Sequence, residues 1–271
     1  MSASPLQIAK ALEYGLIFSG AWLIWRIVLS PSARAERKPA NLAPWNITIT
    51  DFLFFLWLVF IGGFAVPLVI SQLLKGTTHD TAHQIVILTA AFHFGLFAGV
   101  ASFRIFFHRE QTAAFRSTLH PAISGCAVFL ISLPIVHLVS FLWQNFLNFV
   151  GLPPESQSMI HIFSESKSHV LLWLISALAT LVVPVTEELI FRAGLFRFAR
   201  TRLPRWAALI FPATLFGALH ELNLASFAPL FALGIIFSLA YERTGRIATT
   251  MIAHGLFNLN TVVLILCGVT S

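Results

Sequence analysis

Charge is scarce in this chain. Asp, Glu, Lys and Arg make up 10% of its 271 residues, against about 25% in an ordinary soluble domain. With 57% apolar residues, 27 of all positions being Phe, the composition is that of an integral membrane protein rather than a water-soluble one. Cysteine is equally sparse. Cys126 and Cys267 lie far apart inside apolar runs, so they read as buried small hydrophobes and not as a disulfide or a nucleophile pair. There is no glycine-rich phosphate loop and no aromatic–basic RNA motif, so the net charge of +6 does not point to nucleic acid. No small-residue cleavage site follows the first apolar stretch, Leu12–Leu29. A basic segment follows instead, so the stretch reads as a span and not as a cleaved signal. No internal repeat is visible.

A span needs about 20 mostly apolar residues. Eight segments meet this need: 7–29, 52–74, 84–107, 120–150, 168–191, 206–222, 225–242 and 247–268. The fourth is long and holds Pro134, which predicts a kink or a break. The fifth is expected to run on as helix to about Arg200. Basic residues accumulate in cytoplasmic loops, and here they fall on alternate connections. Arg26, Arg34, Arg37 and Lys38 accompany the end of span 1; Arg104, Arg109 and Arg116 that of span 3. Arg192, Arg197, Arg200, Arg202 and Arg205 accompany span 5, and Arg243 and Arg246 follow span 7. Of 17 basic residues, only Lys10, Lys75 and Lys167 fall on the other side. The expectation is an all-α polytopic transmembrane helical bundle of about eight spans in the cell (plasma) membrane. Both termini would lie outside the cytoplasm. The polar stretch 151–167, an outer loop, divides an N-terminal four-span accessory half, 1–150, from a C-terminal four-span core, 168–271.

Two adjacent carboxylates, Glu187 and Glu188, close the apolar run Val170–Val185. An ionisable group at membrane depth costs a few kcal/mol or more and is a functional-site hypothesis by default. On a helix Glu188 and Arg192 are four apart and share a face, so they can pair, whereas Glu187 points elsewhere. Pro184, three residues before Glu187, removes a backbone donor and opens the helix locally. A helix-end ion pair at the interface would explain Glu188 but not Glu187. Further on, Phe216 and His220 stand four apart near the end of span 6, with the small residues Gly217 and Ala218 between them. His254 and Asn258 share a face of span 8. Each of these alone is compatible with helix-to-helix hydrogen bonding. Together they place a carboxylate, two imidazoles and a carboxamide on three helices of one half. That set contains a base for water and donors for a developing oxyanion, which amide hydrolysis requires. No Ser or Cys nucleophile stands beside a His at recognisable spacing, so direct attack by water is the better reading.

At these residues the chain resembles the CAAX protease and bacteriocin-processing family, also called Abi or Rce1-like, of intramembrane glutamic endopeptidases. The family pattern Glu-Glu-x-x-x-Arg, Phe-x-x-x-His, His-x-x-x-Asn/Asp is met in order by Glu187-Glu188-x-x-x-Arg192, Phe216-x-x-x-His220 and His254-x-x-x-Asn258. The resemblance covers the C-terminal four spans. It implies that Glu187 is the general base, that His220 orients and activates the water, and that His254 and Asn258 form the oxyanion site. Glu188, Arg192 and Phe216 would support the pocket. It also implies a mechanism with no metal or other cofactor, acting on a membrane-anchored protein or peptide, with or without a lipid chain. The zinc alternative uses His220, His254 and Glu187 as a His₂Glu set. From another class, the alternative is a non-catalytic bacteriocin-immunity or binding protein. A transporter is disfavoured because the polar residues crowd into one half without matched broken helices in the other.

Depth poses a question. At 1.5 Å per residue His220 lies about 22 Å above Arg205, Glu187 about 15 Å above Arg197 and His254 about 12 Å above Arg246. Tilt, or a break at Pro212, is needed to bring His220 level with Glu187. Elsewhere His79-Asp80-x-x-His83 has the i,i+4 imidazole spacing of some zinc sites, with His93 further along, though Asp80 can equally cap a helix. His108, His120, His161 and His169 lie near span ends and read as interface residues.

Overall fold

The computed structural model describes residues 4–35, 40, 42–76, 81–107, 119–152, 168–220 and 224–269. Eight apolar helices dominate: α1 (Pro5–Leu29), α2 (Ile49–Leu73), α3 (Thr81–Phe106), α4 (Pro121–Phe149), α5 (His169–Arg202), α6 (Arg205–Leu219), α7 (Leu224–Thr244) and α8 (Ile247–Leu266). No strand occurs among the described residues. All eight anticipated segments are helical, but among the described residues seven helices are long and apolar enough to cross a membrane. The exception is α6, whose 15 residues rise about 22 Å, short of the roughly 30 Å hydrocarbon core. The expected sixth span therefore ends early, at Leu219. The outer faces carry exposed Phe18, Phe60, Leu68, Phe146 and Trp173, the surface that a lipid solvent requires.

Some anticipated features change in the folded chain. Cys126 is exposed and Cys267 half-buried, both as free thiols. An apolar run here marks contact with lipid as often as burial in protein. The His79–Asp80 pair, His108, Arg109, Arg116, Arg37, Lys38, His161, Lys167 and most of the 151–167 connection lie outside the described residues. Pro134 does not break α4, which is continuous. The carbonyl four residues earlier, Leu130 O, loses its helical donor to the proline and is covered by Gly20 of α1, where a Cβ would collide with it.

Pro184 acts differently. The preceding turn, Leu178–Val182, is wound as π-helix, and a second π-helical stretch runs Leu189–Phe196. Between them lies a six-residue α-helical piece, Val183–Glu188, which carries both glutamates. The carbonyls that Pro184 deprives of a donor lie four or five residues back, at Thr180 and Ala179. Both face α8. Gly255 lies so close that an added Cβ would stand 2.7 Å from Thr180 O, and Asn258 Nδ2 donates to Ala179 O at 2.8 Å.

Two apolar clusters flank this helix. One joins α2, α3, α5 and α6 through Phe52, Phe55, Phe103, Phe191 and Phe216. The other joins α4, α7 and α8 through Phe129, Leu133, Phe237 and Ala253. At the end rich in arginine, Arg197 and Arg202 donate to the carbonyls of Ala43, Trp45 and Ile47, and Trp45 N–H donates to Thr201 Oγ1 at 2.9 Å. Glu242, buried on α7, takes Arg200 at 2.6 Å and Arg205 at 2.7 Å. These arginines thus tie the first connection and α7 to the α5–α6 turn.

Replacing Gly20 by Ala should lower the thermal unfolding midpoint in detergent, since overpacking costs about 1–3 kcal/mol. Gly15→Ala, on the same helix with nothing near its Cβ, is the matched control and should leave the midpoint unchanged. Equal midpoints for the two variants would contradict the close α1–α4 approach.

Candidate active site

Antiparallel geometry decides which polar groups meet. Because α5 continues to Arg202 and α6 starts at Arg205, Glu187 and His220 both stand about 15 residues, or about 22 Å, from the turn between them. No break at Pro212 is needed; α6 is continuous through it. The earlier shortfall in depth came from measuring Glu187 from Arg197 and not from the turn after Arg202. His220 sits just past the last turn of α6 with extended backbone, and its Nε2 is 3.3 Å from Glu187 Oε2. From the other side, His254 Nε2 on α8 is 3.7 Å from the same oxygen.

The second glutamate has a different environment. Glu188 is fully buried and pairs with Arg192, Nη1 to Oε1, at 2.9 Å. The guanidinium lies 4.3 Å from the Phe216 ring centroid and 5.3 Å from that of Phe237, one ring from each apolar cluster. Such cation–π contacts partly replace water around a desolvated cation. Phe216, placed by its motif as pocket support, thus packs on Arg192, and also against His220 and His254.

Hydrogen bonds fix the imidazole tautomers. His220 Nδ1 is 2.7 Å from Phe216 O, and a carbonyl only accepts, so Nδ1 carries a proton. His254 Nδ1 is 3.0 Å from Glu188 Oε1, the oxygen that Arg192 Nη1 also holds, so the ring nitrogen is the donor and carries a proton. Both Nε2 atoms then face Glu187 Oε2. A contact of 3.3 Å between an imine nitrogen and a carboxylate oxygen calls for a proton on one of them. Glu187 Oε2 is buried, with no hydrogen bond of good geometry among the described residues. The arrangement is therefore a proton-sharing carboxylate between two imidazoles, in an apolar bundle.

The structure brings together Glu187, Glu188, Arg192, Phe216, His220 and His254. Asn258 is held apart to the extent that one amide N–H is spent on Ala179 O; its second N–H is left for any further role. Among the described residues no group of three or more His, Cys, Asp or Glu side chains has the arrangement to hold a metal ion. One side chain at the site was placed by the sequence only beside the His79–His83 spacing and not with Glu187. His93 of α3 is buried and bonds Thr186, the neighbour of Glu187, at 2.7 Å. Nothing local marks it, since a lone His in an apolar helix has no signature until its partner helix is known. His93 and Thr186 also line an apolar groove of about 500 Å³ between α3 and α5, with Phe94, Phe97, Leu181 and Val185.

A helical membrane bundle with charged and imidazole groups gathered inside it is the class that these observations define. Residues 169–260, about a third of the chain and the part holding every motif residue above, match the family model described as Rce1-like, type II CAAX prenyl endopeptidase. The chain is 29% identical over 91 residues to the UPF0177 protein YbdI of Lactococcus lactis subsp. lactis (strain IL1403), covering 34% of this chain and 49% of that protein. It thus spans about half the length of that curated relative. No solved structure matches it.

Arg192→Met leaves Glu188 buried without its cation and should destabilise the fold by about 3–5 kcal/mol, read as a lower unfolding midpoint. Adding Glu188→Leu to that variant should restore part of the loss. A wild-type midpoint for Arg192→Met alone would show that the pair does not hold the site together.

Proposed function

We propose that this protein is an intramembrane endopeptidase of the CAAX-protease type that hydrolyses a peptide bond of a membrane-anchored protein or peptide, using Glu187 as the base. The observation that carries this reading is the position of Glu187 Oε2 between the Nε2 atoms of His220 and His254 at 3.3 and 3.7 Å. Water held by Glu187 and His220 gives a proton to the carboxylate as its oxygen bonds to the scissile carbonyl carbon. Negative charge passes to the carbonyl oxygen, where a protonated His254 and the second N–H of Asn258 are the donors at hand. Collapse of the tetrahedral intermediate breaks the C–N bond, and the proton returns from Glu187 to the leaving amine. Glu188 accepts from His254 Nδ1 and so aims its Nε2 at the site, and Arg192 holds Glu188 in place.

In this reading the C-terminal core, 168–271, carries the chemistry, and the N-terminal half, 1–150, assists it. The arginine-rich connections face the cytoplasm of a cell whose plasma membrane holds the chain, and both termini lie outside. The apolar groove between α3 and α5 is a lateral way in from lipid for the substrate.

Glu187→Gln and His254→Ala should each abolish cleavage while the protein stays folded and inserted. Membrane peptides compared between wild-type and Glu187→Gln cells should show uncleaved precursors accumulating only in the variant. Cleavage retained by Glu187→Gln would sink the proposal. An immunity phenotype that survives the substitution would favour the non-catalytic binding protein.

A further inference from the structure

One imidazole at the site comes from outside the segment that matches the family. His93 belongs to α3, in the N-terminal half, and is 5% exposed. Its Nδ1 lies 2.7 Å from Thr186 Oγ1. That hydroxyl directs its own proton back at Val182 O and Val183 O, 3.3 and 3.0 Å away, so toward His93 it can only accept. His93 Nδ1 is therefore the donor. No other proton arrangement satisfies both contacts.

Thr186 immediately precedes Glu187, inside the six-residue piece Val183–Glu188 that π-helix bounds on both sides. A piece this short, begun by Pro184 with its missing donor, draws little rigidity from its own ladder. Its register is set from outside. On the α8 side the Asn258 bond to Ala179 O supports the turn before it. On the α3 side the His93 bond is a tether to a separate helix. His93 also lies within electrostatic reach of both Glu187 and His220.

We propose that His93 is a positioning residue for the Glu187 site: through Thr186 it holds the turn bearing Glu187 in register with His220 and His254. The N-terminal half then completes a site that residues 169–260 alone leave under-constrained. The consequence for cleavage rests on the endopeptidase reading, whereas the positioning does not.

The test uses the full-length protein in lipid nanodiscs with ¹⁵N-labelled histidine. The ring signals are assigned by their loss in His220→Gln, His254→Gln and His137→Gln. His93→Phe and Thr186→Val should each move the His220 and His254 ring signals by the same pattern, and the double variant should move them no further. His93→Asn, whose amide donates from the place of Nδ1, should return them to wild type. His137, which pairs with Glu13 on another face of the bundle, should not respond. Unmoved His220 and His254 signals in a folded His93→Phe or Thr186→Val protein would overturn the proposal; Thr186→Val decides the matter if His93→Phe does not fold. With a quenched prenylated CAAX peptide as probe, His93→Phe should lose on the order of 10-fold in kcat at unchanged KM, as expected when a catalytic group is misplaced rather than removed. A normal kcat in His93→Phe, with Glu187→Gln inactive, overturns this proposal alone. Cleavage persisting in Glu187→Gln instead overturns the endopeptidase reading.

Discussion

The buried pair of Glu188 and Arg192 constrains everything around it. Two opposite charges with 0% and 2% side-chain exposure have no water to return to, and in a bundle surrounded by lipid each would cost several kcal/mol alone. The pair survives because its charges face each other and are largely covered, with Glu188 Oε2 left as a buried oxygen that has no hydrogen-bond partner among the described residues. Phe216 and Phe237 cover the guanidinium, and His254 takes the carboxylate oxygen that Arg192 also holds. That closure has a chemical consequence. Glu188 is used up by structure, the tautomer of His254 is set by it, and the adjacent Glu187 is the acid left facing other titratable groups. Two residues alike in the chain are made unlike by where one cation sits.

Irregular backbone is the second condition. A regular α-helix through Pro184 would leave a donor missing with no remedy at membrane depth, where every backbone group needs a partner inside the protein. The π-helical turns move the unsatisfied carbonyls toward α8, and α8 answers with Gly255 and Asn258. Asn258 therefore has a structural duty that the motif spacing does not reveal. Pro134 is accommodated otherwise: α4 stays α-helical through it, and the orphaned Leu130 carbonyl lies against Gly20. At these two prolines a neighbouring helix offers a small residue or an amide.

Much of the fold was legible because lipid imposes a simple rule on sequence: long apolar segments are helices. The eight helical segments follow from that rule alone. The motif residues were legible too, because a polar group in an apolar run is conspicuous. Errors arose where the rule is silent. Apolar surroundings in sequence do not separate lipid contact from protein core, so Cys126 read as buried and is exposed. Length to the nearest arginine does not give depth, so Glu187 and His220 looked mismatched until the α5–α6 turn set a common origin.

The sequence by itself determined the helices, their order and the chemical inventory of the C-terminal half, since hydropathy and i,i+4 spacing act within one helix. Contacts between helices were decided only by tertiary structure. Helical spacing made Arg192 the natural partner of Glu188, but that His254 shares the same carboxylate depends on how α8 crosses α5. That His93 from the distant α3 bonds Thr186, and that Asn258 answers a proline on another helix, depend likewise on packing. Hydrogen bonds have a reach of about 3 Å, and no property of a single helix says which surface will come that close.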